Sequence, residues 1–165
     1  MLVRTAEASD LEAVAKLEAE CFPAAEAASR EEFAERLAHY ADCFQLLFDE
    51  AGSLVSFIDG LATNEPDLAD DMYADAGRHD PDGCWQMIFG LNTHPSQRKK
   101  GYAGMLVKAF IDLAQSRGKR GLVLTCKDHL VHYYARFGFV DEGTSSSTHG
   151  GVVWHQMRLT FQPRP

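Results

Sequence analysis

The sequence predicts a mixed α/β fold in which helices cover a β-sheet. Apolar runs of strand length alternate with amphipathic helical patterns along the chain. The apolar run 85–91 leads into a basic, glycine-containing turn, then into a helical pattern over 103–117, and then into the strand-like run 122–125. Such a β–loop–α–β unit brings strands and a covering helix together, so a mixed sheet with helices packed on it is expected.

Two capping-box patterns predict helices in the N-terminal half of the chain. In this pattern a Ser or Thr side chain caps the helix, and a Glu three residues later bonds back to the cap. Ser9 with Glu12 predicts a helix that ends before Pro23, and Ser29 with Glu32 predicts a second helix.

Strands and one long connection complete this half of the chain. A short strand over 2–4 comes first, and strands over 43–48 and 54–58 are joined across 49–52, which is a hairpin signal. The segment 63–83 is acidic and contains two prolines, which predicts a long loop. It is either a functional lid or a solvated surface excursion, because composition does not separate these.

Capping and turn residues mark the ends of the predicted helices in the C-terminal half of the chain. The helix over 103–117 should end at Gly118, which stands where a C-cap belongs. A short helix over 128–136 is expected with Asp128 as its cap, and 152–161 supplies a last strand.

Bulk composition narrows the class of protein. With 45% hydrophobic and 24% charged residues in 165, one globular domain over 1–165 is expected. The net charge of −8 argues against nucleic acid or an anionic membrane as a partner. No apolar run is long enough to span a bilayer, and the first residues do not begin a signal peptide. The irregularly spaced cysteines predict reduced thiols in a cytoplasmic protein without a metal; they are Cys21, Cys43, Cys84 and Cys126.

The basic turn over 98–104 is the strongest functional signal. The first N–H groups of a helix have no intrahelical partner, and the helix dipole places partial positive charge there. Gly101 allows backbone angles that a side chain forbids, while Ala103 and Gly104 keep the amides accessible. Three cations precede them in an otherwise acidic chain, namely Arg98, Lys99 and Lys100. The turn therefore predicts a site for a diphosphate-bearing ligand.

Two short motifs carry a family resemblance. The turn has neither the P-loop pattern nor the three-glycine dinucleotide fingerprint, so both of those folds are disfavoured. Arg98-x-x-Gly101-x-Ala103 is followed at family spacing by the segment 134–139, Tyr-Ala-Arg-Phe-Gly-Phe. Together they resemble the acyl-CoA signature and the late Tyr-x-x-x-Gly-Phe block of the GNAT acetyltransferase superfamily.

The resemblance implies an architecture and a cosubstrate. The fold would be a mixed, mostly antiparallel central sheet flanked by about four helices, with a splayed central strand pair. Acetyl-CoA would lay its pantetheine arm along the backbone freed by the splay, and the Leu91 N–H could polarise the thioester carbonyl. The residues expected to bind it are Leu91, Asn92, Thr93, Arg98, Lys99, Lys100, Gly101, Tyr102, Ala103 and Gly104.

Within the superfamily the chain is most similar to the arylalkylamine (serotonin-type) N-acetyltransferases. The segment 126–134 aligns without a gap with the block that carries that family's catalytic tyrosine, and 21–23 and 79–81 add weaker similarity. Tyr134 is accordingly the expected catalytic residue, which would protonate the departing thiolate. The alternative is that its ring packs in the core and its hydroxyl bonds nearby.

The sequence does not identify the general base. The vertebrate enzymes carry two histidines on the central strand, and these positions align with Met87 and Phe89 here. Their proton relay is therefore not carried over. His129 and His132 are close to Tyr134 in sequence, but His132 should face away from it on a helix. Deprotonation through water or by an acidic residue stays open.

The residues that would bind the acceptor substrate are predicted from weaker sequence patterns. An apolar slot for an aromatic or aliphatic amine could be lined by Phe22, Pro23, Trp85, Met87 and Phe89. Such residues are as often plain core. An acidic run could attract cationic amines or polyamines, although such runs are usually solvated; it consists of Asp67, Asp70, Asp71 and Asp75.

The resemblance favours an acetyl-CoA-dependent N-acetyltransferase that acts directly on a small primary amine of the aryl/alkylamine or polyamine type. Two alternatives stay open: a non-catalytic acyl-CoA-binding module, and an acetyltransferase that acts on a protein lysine or N-terminus. A monomer or homodimer is expected.

Overall fold

The computed structural model describes residues 1–147 and 149–163, without the side chain of His149. Two sheets form the framework of this part of the chain. One has the strand order β1-β2-β3-β6 and the other β4-β5-β7-β9-β8. The strands are β1 Leu2–Thr5, β2 Phe44–Phe48, β3 Leu54–Asp59, β4 Ala62–Thr63, β5 Trp85–Ile88, β6 Gly90–Thr93, β7 Gly121–Cys126, β8 Val140–Thr144 and β9 His155–Thr160.

Helices pack on both faces of these sheets. They are α1 Leu11–Cys21, α2 Arg30–Tyr40, α3 Asp71–Ala74, α4 Tyr102–Ser116 and α5 Val131–Ala135. One buried cluster lies under α1 and α2, and a second lies under α4. The expected mixed, mostly antiparallel architecture is confirmed, with β5–β7 as the parallel pair. Within the described residues, no helix is long and apolar enough to cross a bilayer.

The central strand is bent and divided, which corrects the single strand expected over 85–91. Asp59 pairs in register with Gly90, and its carbonyl also accepts a hydrogen bond from Phe89 N at 2.7 Å. Two residues therefore oppose one, which is a β-bulge. Before the bulge β5 runs parallel to β7, and after it β6 pairs with β3. The central strands consequently diverge, as the resemblance implied.

One of the two predicted capping boxes is confirmed. Ser29 Oγ accepts from Glu32 N, and Glu32 Oε1 accepts from Ser29 N, both at 3.1 Å. The box at Ser9 is wrong. Asp10 instead accepts from Glu7 N at 2.7 Å, and two bonds of 2.8 Å from Arg4 fix its carboxylate. The chain therefore enters a 3₁₀ turn at Ala8, ahead of α1.

Other boundaries also differ from the predictions. The 63–83 segment contains α3 and a 3₁₀ turn, and Ala62–Thr63 forms β4. The sequence did not predict β8, because Val140–Thr144 contains a single apolar residue. Asp128 does not cap a helix, since its carboxylate pairs with His155 Nε2 at 3.2 Å. The last strand is shorter than expected, His155–Thr160.

The different capping of the N-termini of helices α1 and α2 leads to a first prediction. Ser29→Ala removes a cap hydrogen bond, so it should lower the free energy of unfolding by about 1 kcal/mol in urea titrations. Ser9→Ala is the matched control, and its exposed hydroxyl makes no cap bond, so the change should leave stability within about 0.5 kcal/mol. Equal losses in the two variants would contradict the assignment.

Candidate active site

Two cavities meet where the central strands diverge. The larger is a cleft of about 550 Å³ between β6, the start of α4 and α5. The smaller, of about 130 Å³, lies on the α1–α2 side of the same splay. They share the lining residues Phe22, Glu26, Leu91, Leu130, Tyr134 and Trp154. A ligand in the cleft could thus react with one in the smaller cavity.

The basic turn forms one wall of the cleft. Gly101 stands before α4 with φ +83°, in the left-handed region, and no atom lies within 4 Å of a Cβ built there. Its backbone angle, not lack of space, therefore requires glycine. The first intrahelical bond runs from Met105 N to Gly101 O at 3.1 Å, so the amides before it have no partner within the helix.

The structure brings nearly all the expected cosubstrate residues together. Nine of the ten line the cleft, namely Leu91, Asn92, Thr93, Arg98, Lys99, Gly101, Tyr102, Ala103 and Gly104. Lys100 does not line the cleft, but its ammonium donates to Oε1 of Gln97, which does, at 2.9 Å.

The backbone of β6 supplies the opposite wall. His94 N donates to Val55 O at 2.8 Å, so His94 faces β3. Pairing alternates along an antiparallel strand, and the peptide groups of Leu91 and Thr93 therefore face away from β3. The Thr93 carbonyl accepts from Cys21 Sγ at 3.3 Å and from Arg98 Nε at 3.2 Å. These two bonds tie β6 to the end of α1 and to the basic turn.

Tyr134 borders both cavities. It is 8% exposed, and its ring makes edge contacts with Tyr133 at 5.2 Å and with Phe139 at 6.1 Å. Burial, with smaller contributions from Cys126 and Tyr133, raises the pKa of its phenol above the ordinary value. Its hydroxyl makes no hydrogen bond within the described part of the chain. The phenol is thus protonated at neutral pH.

The smaller cavity combines aromatic rings with carboxylates. Besides Tyr134, its rings are Phe22, Tyr73, Phe89 and Trp154, and its charged side chains are Glu18, Glu26, Glu32 and Arg36. Of the residues expected in a substrate slot, Phe22 and Phe89 line this cavity, and Pro23 lines the cleft.

Trp85 and Met87 do not line either cavity, which corrects their expected position. Both precede the bulge and belong to the core, where Met87 is 0% exposed. The Trp85 ring packs beneath the guanidinium groups of Arg158, at 4.5 Å, and Arg120, at 5.3 Å.

A buried polar cluster forms the floor of the smaller cavity. Arg36 Nη1 pairs with Asp59 Oδ2 at 3.1 Å, and its Nη2 donates to the Tyr73 carbonyl at 3.0 Å. Glu18 accepts from Asn92 Nδ2 at 2.7 Å and from Ala28 N at 2.8 Å. Burial raises the pKa of Glu18, and it raises the pKa of Asp59 to about 7 although Arg36 opposes this.

The sequence motifs do not predict this buried polar cluster, although the sequence contains a signal for it. Glu18 directly follows Leu17 on the buried face of α1, and Arg36 lies between Phe33 and Leu37 on the buried face of α2. A charged residue within an apolar stripe indicates a buried ion pair or a functional group.

The remaining candidates lie outside the two cavities, apart from His129, which lines the cleft. The acidic residues of 67–75 bond within the protein: Asp67 to Arg158, Asp71 to Arg78, and Asp75 to Gly77 N. Among the described residues, Asp42, Cys43 and His79 have ligand atoms within 4.8 Å of one another. Arg117 donates to Cys43 Sγ at 3.7 Å, so a cation there would face a guanidinium group.

Comparisons with known proteins agree with this geometry. The sequence profile of the acetyltransferase (GNAT) family matches residues 11–139. The chain therefore belongs to the acetyltransferase (GNAT) family, and the family inferred from the motifs is confirmed. The class of enzyme expected, a GNAT acyltransferase, is confirmed at the same level.

Among curated relatives, a serotonin N-acetyltransferase of Mesocricetus auratus is 27% identical over 114 residues, covering 68% of this chain and 54% of the relative. The chain spans about a third to just over half the length of the curated relatives it matches.

Two solved structures share the fold. The GphF GNAT-like decarboxylase in complex with isobutyryl-CoA has a TM-score of 0.83 and 23% identity, covering 97% of this chain and 99% of that one. The ribosomal-protein-S18-alanine N-acetyltransferase of Escherichia coli has a TM-score of 0.74 and 18% identity, covering 99% of this chain and 96% of that one. At these identities the likeness shows the fold alone.

The buried ion pair leads to a second prediction. Arg36→Met leaves the Asp59 carboxyl without its cation and should lower the free energy of unfolding by about 3–5 kcal/mol. Adding Asp59→Leu should restore most of that loss, since replacing both charges of a buried pair by apolar groups is often nearly neutral. Urea unfolding of the two single variants and the double variant measures this. Losses that simply add would contradict coupling of the two side chains.

Proposed function

We propose that the chain is an acetyl-CoA-dependent N-acetyltransferase that transfers the acetyl group directly to a primary amine of a small molecule. One observation carries this proposal: a cleft with a basic helix N-terminus at one wall meets, beside Tyr134, a separate cavity lined by rings and carboxylates. The first compartment suits an anionic thioester carrier, and the second suits a cationic amine.

The basic turn would hold the diphosphate of acetyl-CoA. Arg98 and Lys99 supply charge, and the amides at the start of α4 supply hydrogen-bond donors. The outward peptide group of Leu91 and the N–H of Thr93 would pair with the pantetheine arm, which puts the thioester near the splay. The Leu91 N–H would polarise the thioester carbonyl as a backbone oxyanion donor does.

The transfer requires two proton movements. An alkylammonium group, with a pKa of about 10.4 as for Lys, must first lose a proton so that its nitrogen has an electron pair. That pair forms the N–C bond to the thioester carbon, the C–S bond breaks, and the thiolate takes a proton from the Tyr134 hydroxyl. The second proton lost by the nitrogen returns the tyrosinate to the phenol, directly or through water. Overall, ammonium and thioester become amide, thiol and one released proton.

Names of relatives support a small amine and also define the alternatives. The relative that acts on serotonin indicates an amine of low molecular weight. The neighbour that acts on a ribosomal-protein alanine keeps a protein acceptor as an alternative, and a non-catalytic acyl-CoA-binding module is another.

A second candidate reaction is decarboxylation of a carboxyacyl-CoA, because one structural neighbour is a GNAT-like decarboxylase. Arg36 in the smaller cavity is the group that could bind a carboxylate. Three carboxylates line the same cavity, however. Glu26 is paired with Lys127 at 2.7 Å and Arg36 with Asp59. This leaves Glu18 and Glu32 without a cation partner among the described residues, so the charges of the lining favour a cation. Release of CO₂ from malonyl-CoA without an amine would select this reaction.

We also propose a cytoplasmic location, because all four cysteines are free thiols, as expected in a reducing compartment.

Removal of one hydroxyl tests the catalytic role. Tyr134→Phe should lower kcat by about 10²–10³-fold while the Kd for CoA changes little, since general acid catalysis contributes roughly that much. Release of CoA from acetyl-CoA across an amine panel measures the rate, and calorimetry measures Kd. The control is Tyr40→Phe, which removes a buried hydroxyl that has no hydrogen-bond partner in the described structure. A Tyr134→Phe enzyme as fast as wild type would exclude this role.

Two glycines with the same backbone angle test the diphosphate site. Gly101 and Gly52 both have φ +83° and open space around a built Cβ. Gly101→Ala and Gly52→Ala should each cost about 1–2 kcal/mol of stability. Only Gly101→Ala should weaken CoA binding, by about tenfold or more in calorimetry, because only that turn would contact the diphosphate. Equal CoA affinity in the two variants would place the diphosphate elsewhere.

A further inference from the structure

Three oxygen atoms converge beside Gly90, on the sheet face that α1 covers. Gly90 and Asn92 are two residues apart on β6, and Asp59 pairs with Gly90 from β3, so all three share one face. A Cβ built on Gly90 would lie 3.3 Å from Asp59 Oδ1, 3.5 Å from Asn92 Oδ1 and 3.7 Å from Glu18 Oε1. The three oxygens therefore surround the place where any other residue would carry its side chain.

Two of these oxygens have no hydrogen-bond partner among the described residues. They are Asp59 Oδ1 and Asn92 Oδ1, on residues that are only 1% and 2% exposed. The other atoms of the same side chains are held in place: Arg36 binds Asp59 Oδ2, and Asn92 Nδ2 donates to Glu18. Buried acceptors are costly without a partner, and these are fixed so that they face one point. A ligand group that carries N–H donors would supply the hydrogen bonds that these two oxygens lack.

We propose that Asp59, Asn92 and Glu18 form the subsite that binds the ammonium group of the acceptor, and that the acceptor is a compact primary amine. The inference rests on the proposed acetyltransferase function and adds the substrate class and a proton acceptor to it. A primary ammonium has three N–H donors, the same number as the oxygens that face Gly90.

The position of Gly90 suits this role. Gly90 and Glu18 line the smaller cavity and Asn92 lines the cleft, whereas Asp59 lines neither and reaches Gly90 as its partner across the strand pair. The next residue, Leu91, has its peptide group turned toward the cleft. A nitrogen held beside Gly90 is thus next to the backbone donor that would polarise the thioester carbonyl. Asp59 accepts the first proton: the N–H bond breaks, an O–H bond forms at Oδ1, and the electron pair stays on nitrogen. Burial supports this, since it raises the pKa of Asp59 to about 7.

Cavity size restricts the rest of the acceptor. The smaller cavity has a volume of about 130 Å³, close to the roughly 150 Å³ of an apolar protein cavity that holds benzene. The rings of Phe22, Tyr73 and Phe89 suit one aromatic ring or a short alkyl chain. A fused bicyclic amine or a long polyamine exceeds this volume. Benzylamine is therefore the probe that should fit.

The decisive variant is Gly90→Ala, which puts a methyl group at the point where the three oxygens converge. Its closest contact of 3.3 Å requires a shift of a few tenths of an ångström, so the variant should fold, as circular dichroism and urea unfolding can verify. We expect the KM for benzylamine to rise at least about tenfold, the loss of one hydrogen bond to a charged group, while the Kd for acetyl-CoA stays within about twofold. The matched control is Gly77→Ala, on an exposed turn away from both cavities. A Cβ built there also has a close contact, 3.1 Å to Asp75 Oδ1, and the KM of this variant for benzylamine should match that of wild type.

Glu18→Gln provides a second variant if Gly90→Ala does not fold. It keeps the shape of the side chain but removes its charge, and we expect the KM for benzylamine to rise by about tenfold here as well.

The outcomes separate this subsite from the proposed function. If acetyl-CoA binds and some amine is acetylated, but Gly90→Ala leaves the amine KM unchanged, the subsite is overturned and the function stands. The same holds if tryptamine, spermidine or a lysine peptide has a kcat/KM equal to or above that of benzylamine. If acetyl-CoA does not bind, or binds with no amine acetylated, both are overturned.

Discussion

The β-bulge at Phe89 and Gly90 is the constraint on which the rest of the site depends. Because both residues oppose Asp59, the central strand turns from β7 toward β3. That turn leaves the Leu91 peptide group and the Thr93 N–H without a strand partner on the cleft side, and it opens the gap that both cavities share. The bonds from Cys21 and Arg98 to the Thr93 carbonyl then fix the basic turn relative to the bent strand. A straight strand over 85–93 would close the gap and remove the site.

Charged and polar groups whose burial is unfavourable are concentrated beside the same bulge. Arg36, Asp59 and Glu18 are withdrawn from water, and Asp59 Oδ1 and Asn92 Oδ1 are buried without a partner in the described part of the chain. Such an arrangement contributes little to stability, because desolvation offsets the attraction between the charges. Its retention next to a cavity is better explained by function than by folding. The aromatic contacts of Arg36 with Phe33 and Phe89, both at 5.0 Å, hold the guanidinium while it orients Asp59.

The sequence predicted those structural features that depend only on residues close together in the chain. Gly101 adopts a positive φ before α4, and Ser29 forms its capping box, as expected. The turn over 49–52 joins β2 to β3 in a hairpin, also as expected. Position-specific interactions between distant residues were not predictable in this way. Ser9 does not cap α1, because Arg4 fixes the neighbouring Asp10 carboxylate in another turn. The strand break at Phe89 depends on a hydrogen bond to Asp59 on the neighbouring strand. Within the apolar run 85–91 only Gly90 is a local signal of that break, since a glycine inside a strand often marks a bulge.

The same distinction applies to the site. The motif residues of the cleft were predictable because they lie together in sequence, whereas Glu18, Arg36, Asp59 and Asn92 come from four separate elements. Each is only an isolated polar residue in an apolar pattern until the fold brings them together. Trp85 and Met87 were misplaced for the opposite reason, since alternation along a strand does not reveal on which side of a bulge a side chain lies.

The central claim is that a CoA thioester occupies the gap made by the bulge. Amide hydrogen exchange, resolved residue by residue with and without acetyl-CoA, tests it most directly. The account predicts slower exchange at Leu91 and Thr93 and at the amides of 101–104, with little change on β8 and β9. Protection confined to another surface, or none at saturating acetyl-CoA, would contradict it.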